Sequence, residues 1–147
     1  MSLVIALHVL ASTLWVGGMF FAYACLRPAT ASTDVPVRVQ VWERALRRFF
    51  RWIWISIALL LLTGFWMFFG EKIRGPHVHL MMGLGMVMML LAAHVYFAPY
   101  KRLRRCVGVH NWQEGAKQLN QIRTFVAINL ALGLIVVAVA AGGRYAH

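Results

Sequence analysis

Residues 77–98 read HVHLMMGLGMVMMLLAAHVYFA, 22 residues without an acidic side chain, a lysine or an arginine. As an α-helix such a run is ~33 Å long at 1.5 Å per residue, enough to cross the ~30 Å hydrocarbon core of a bilayer. Three further apolar runs of similar length flank it, at residues 3–26, 50–70 and 122–143. Little chain is left for a soluble domain. The spacing predicts an all-α integral membrane protein, a single transmembrane domain over residues 1–147 folded as a four-helix up-down bundle. The composition agrees, at 61% hydrophobic residues and a mean hydropathy of +0.69.

Charge sets the expected orientation. Fifteen basic residues face four acidic ones, a net charge of +11. The basic residues crowd two segments: Arg27, Arg38, Arg44, Arg47, Arg48 and Arg51 after the first run, and Lys101, Arg102, Arg104, Arg105, Lys117 and Arg123 after the third. Only Lys72, Arg74 and Arg144 flank the other side. Basic loops are retained in the cytoplasm during insertion, so both loops are expected inside and both termini on the periplasmic side of a bacterial inner membrane. His8, His77, His79 and His147 then fall on the outer side. The same flanking pattern, beside anionic headgroups, accounts for the charge without nucleic acid. The first run has neither a basic leader nor a small-residue cleavage site and reads as a retained helix.

Residues 39–52 read as an amphipathic helix along the cytoplasmic surface that leads straight into the second span, with Arg44, Arg47, Arg48 and Arg51 on one side and Val41, Ala45, Phe49 and Trp52 toward the other. HNWQEGAKQLNQ, residues 110–121, is polar enough for a second surface helix. Cys25 and Cys106 fall near cytoplasmic helix ends, outside any CxxC pair, so neither a disulfide nor a cysteine-only metal site is expected.

The chemistry points to the histidines. An ionisable residue inside an apolar run is a functional candidate, and neutral imidazole is a ligand for haem iron or copper. In an up-down bundle His8 and His79 start their helices on the same face and at similar depth, as two axial ligands of a haem b would. His77 lies about 200° from His79 around the helix, so the two cannot serve one centre from regular helix; His77 is the alternate ligand. His94 shares a face with His79, about 60° away, but is some 22 Å deeper and marks a possible second metal site. That second site would draw on Met19 or a five-coordinate iron. Otherwise His94 is a buried imidazole bonded to Asn129 or to a backbone carbonyl, and His8 and His79 are helix-end groups wetted by the interface.

Trp15, Gly18 and Gly75 are candidates to shape the pocket. Arg74, or failing it Lys72, is a candidate partner for a haem propionate. So small a bundle would cover a macrocycle more fully as a homo-oligomer. Met81, Met82, Met86, Met88 and Met89 crowd the third run. Because thioethers favour Cu(I), copper is the competing cargo, held by His8, His77, His79 and these methionines.

Three stretches carry a resemblance: LHVLASTLWVGGMFF, with His8, Trp15 and Gly18; RRFFRWIWISIALLLLTGFW, with Phe50, Thr63 and Gly64; and GPHVHLMMGLGMVMMLLAAH, with Gly75, His77, His79 and His94. Together they resemble the CopD domain of copper-resistance membrane proteins. They are also similar to the HemJ family, four-helix membrane proteins that bind haem b and oxidise protoporphyrinogen IX. Both patterns tend to carry lysine near the start of the third helix, where this chain has His79. The resemblance implies a haem b redox protein exchanging electrons with a quinone, a porphyrin or another redox partner, or else a copper-handling protein. The substitution at His79 strengthens bis-histidine ligation and weakens porphyrinogen oxidation. A third reading is a scaffold or lipid-interacting subunit.

Overall fold

The computed structural model describes residues 1–143 and 145. Arg144 and His147 lie outside the described residues. Four long helices account for nearly all of the chain: α1 (Ser2–Thr30), α2 (Val35–Gly70), α3 (Pro76–Gly108) and α4 (Trp112–Gly142). Each is long and apolar enough to cross a membrane, and no strand occurs among the described residues. The chain is a multi-pass membrane protein. Many large apolar side chains point outward, among them Leu3, Leu62 and Leu90. They suit a lipid solvent, in which every backbone group must be satisfied within the helix.

The amphipathic segment at residues 39–52 runs straight into the second span, as expected, within one continuous helix α2, whereas the polar segment at residues 110–121, expected as a second surface helix, forms the first turns of α4. No glycine or proline interrupts residues 37–63, so the helix from Val35 runs unbroken to Phe65. Its buried stripe is Val39, Trp42, Leu46, Phe50 and Ile53, one step around from the expected face. Trp52 is exposed. α4 begins at Asn111, whose side chain accepts the Glu114 N–H at 3.3 Å as a cap. Pro99 sits inside α3, where the helix widens into a π-turn at Tyr96–Tyr100.

α1 and α2 form one antiparallel hairpin, with Thr30 beside Trp42, Gly18 beside Phe49 and His8 beside Thr63. α3 and α4 form the second, with Cys106 beside Gly115, His94 beside Phe125 and His77 beside Gly143. α4 also packs on α1 and α2. At the basic end the hairpins are joined by rings. Phe50 meets Tyr96 at 5.2 Å and Tyr100 at 4.8 Å, and Trp54 meets Tyr96 at 5.4 Å. Beside them Glu43, 2% exposed, pairs with Arg47 at 2.8 Å.

Close approach of α1 to α2 depends on Gly18, where a Cβ would overlap the Phe49 ring. At Gly17 a Cβ would meet nothing within 4 Å. Gly18→Ala is therefore expected to destabilise the bundle by about 1–3 kcal/mol through overpacking. Gly17→Ala should be neutral or stabilising by up to ~1 kcal/mol, from helix propensity alone. Unfolding of both variants in mixed micelles tests the contrast, and equal loss in the two would exclude this packing role.

Candidate functional site

Away from the basic end the hairpins leave a cavity of about 430 Å³ between them, walled by all four helices. Its lining is almost wholly apolar, with no aspartate, glutamate, lysine or arginine among the described residues. Two imidazoles, His8 and His77, line it. So do six methionines: Met67 from α2, and Met81, Met82, Met86, Met88 and Met89 from α3. Met88 is buried, whereas Met82 and Met86 are more than a third exposed. Gly133 of α4 packs against the wall; a Cβ there would come within 2.9 Å of Val16 and 3.1 Å of Met88.

His8 is an anchored donor. Its Nδ1 lies 2.7 Å from Oγ1 of Thr63, and that hydroxyl lies 2.5 Å from the Leu59 carbonyl oxygen. Its ring runs along Gly64, where a Cβ would stand 3.5 Å from Cε1. His77 opens α3 after the Gly75-Pro76 start and packs beside the end of α4; a Cβ at Gly143 would come within 2.9 Å of it. Met81, four residues on, sits over the same face of the helix. Trp15 also lines the cavity, is 3% exposed, and has an indole N–H without a partner among the described residues.

The remaining sequence candidates lie elsewhere. His79 is exposed, bonds through Nδ1 to the Gly75 carbonyl at 2.8 Å, and stands edge-on to Phe68 at 5.5 Å. It does not line the cavity, so the structure does not bring His8 and His79 together as a haem-ligand pair; His77 occupies the inward position. Arg74 lies outside as well, its guanidinium 5.5 Å from the Phe68 ring centre. Lys72 is an exposed turn residue with φ of 52°. Gly18 serves the α1–α2 contact and does not line the pocket.

His94 is exposed and meets Phe125 at 5.2 Å, while Asn129 donates to the Met88 carbonyl at 3.3 Å. Met19 is buried in the core, away from the outer face that carries His94. The structure therefore does not pair His94 with Met19, and the Asn129 amide bonds elsewhere. Sequence reading passed over Met67, which sits in the aromatic segment WMFFG; only the fold of α2 turns it toward the methionines of α3.

No group of three or more His, Cys, Asp or Glu side chains is placed to hold a metal among the described residues. A hard, carboxylate-rich centre is not what this fold builds. Its donors are soft sulfurs and imidazole nitrogens, a set suited to Cu(I) and poorly suited to Mg, Ca or Mn.

Four apolar helices around one thioether-lined cavity define a multi-pass membrane protein with a soft-donor site. The family model described as copper resistance protein D, CopD, matches residues 43–142, and the chain belongs to that family. The match takes in all of α3 and α4 and α2 from Glu43 onward, with Thr63, His77 and the cavity methionines; His8 precedes it. No curated protein and no solved structure shows significant similarity.

Proposed function

We propose that this chain handles copper in a bacterial-type inner membrane, with the ion as cargo held in the cavity between the hairpins. One observation carries the reading: two imidazoles and six thioethers line one uncharged cavity in a chain of the copper-resistance family. The basic residues crowded at the opposite end favour a periplasmic opening, by the retention of basic loops in the cytoplasm. Haem b is less well served, since His79 turns away from His8.

Metal analysis and an absorption spectrum of one purified sample test the proposal. Bound copper with no Soret band is expected, and His79→Ala and His94→Ala should keep wild-type copper content. Paired Met81→Leu and Met88→Leu substitutions, which conserve volume, should lower it with little loss of stability. A Soret band with matching iron, and no copper, would sink the proposal.

A further inference from the structure

We propose that the cavity takes copper as the monovalent ion and binds it through Nε2 of His8, with Thr63 holding that imidazole in the ligating tautomer. The inference rests on the copper reading and adds the oxidation state, the donor atom and a positioning residue.

The hydrogen bonds decide the tautomer. A carbonyl oxygen only accepts, so the single proton of the Thr63 hydroxyl lies on its 2.5 Å contact with the Leu59 oxygen. At its 2.7 Å contact with His8, Oγ1 is then the acceptor and Nδ1–H the donor. A neutral imidazole carries one N–H, so Nε2 keeps its lone pair. This is the arrangement by which a hydrogen bond to the far nitrogen orients a metal-binding histidine and raises its basicity. Thr63 is 7% exposed and its acceptor is fixed helix backbone, so the relay cannot readily turn.

The walls decide the charge of the ion. The cost of moving an ion from water into an apolar space rises with the square of its charge, and no carboxylate lines the cavity to offset it. Met67, Met81 and Met88 offer sulfur from two helices. Thioether sulfur selects Cu(I), whereas Cu(II) favours nitrogen and oxygen in a tetragonal set.

The test uses the full-length protein in detergent. Cu(I) is presented under ascorbate against bicinchoninate as competitor, and Cu(II) against glycine. Wild type is expected to take Cu(I) and leave Cu(II). Thr63→Val should weaken Cu(I) binding by about 10–100-fold, the usual effect of losing a ligand's hydrogen-bond partner, and Thr63→Ser should restore it. ¹⁵N spectra of histidine-labelled protein give a readout that packing alone would not move. His8 should be protonated at Nδ1 in wild type and Thr63→Ser, with the Nε2–H form appearing in Thr63→Val.

Preference for Cu(II), wild-type affinity in Thr63→Val, or an Nε2-protonated His8 in wild type would each overturn the proposal. The last requires no variant to fold. Uptake of neither ion by wild type would overturn the copper reading itself.

Discussion

His8→Ala is expected to purify as a folded protein without copper. The substitution removes the imidazole that Thr63 orients on the binding proposal above. Losing a hydrogen-bond partner of a ligand typically costs 10–100-fold in affinity, so losing the ligand should cost at least about 100-fold. Stability should change little. His8 is only partly buried, and Thr63 retains its own bond to the Leu59 carbonyl. The decisive comparison is copper per chain in His8→Ala against His79→Ala. Equal loss in both would show that position along the membrane, not access to the cavity, governs binding.

The largest effect on folding is expected at the other end. Trp42 is 1% exposed among Val39, Leu46 and Phe50, and its indole N–H donates to Thr30 Oγ1 at 2.9 Å. This part of α2 lies in its arginine-rich first turns, before the apolar run begins, where water rather than lipid is the competing solvent. Burial there carries the full hydrophobic effect. Trp42→Ala should therefore destabilise by about 3–5 kcal/mol. Thr30→Val, which removes the acceptor of the indole N–H together with the hydroxyl's own bond to the Leu26 carbonyl at 2.8 Å, should cost about 1–3 kcal/mol, the range for leaving a buried donor unpaired. Unfolding curves in mixed micelles would separate the two, and equal losses would mean that the hydrogen bond, not the ring, holds this corner.

The four spans were legible because uninterrupted apolar length is a one-dimensional signal. The exact start of α2 was not. Arginines at residues 44, 47, 48 and 51 look like a surface helix, and only the structure shows Glu43 turned inward with Arg47 folded back onto it. His8 and the methionine-rich stretch of α3 were also visible as candidates. The choice between His77 and His79 was not, for a geometric reason. Spacing gives the angle between two side chains on a helix but not which of them faces the neighbours. Here the start of α3 settles it: the Gly75 carbonyl takes the Nδ1–H of His79 and leaves His77 inside. The same reasoning that put His79 and His94 on one face stands, but that face is the outer one. Thr63 stood in a recognisable motif, yet its bond to His8 spans 55 residues of sequence and appears only when α1 lies against α2.

The ring cluster that joins the hairpins has a mechanical consequence. Phe50, clamped against Tyr96 and Tyr100, lies about 14 residues, or ~21 Å, along α2 from Gly64. A rocking of about 10° at the rings would move the opposite end by roughly 4 Å over that arm, more than the length of a metal–sulfur bond. On the copper reading proposed above, the grip on the ion would then be geared to aromatic side chains that lie outside the cavity.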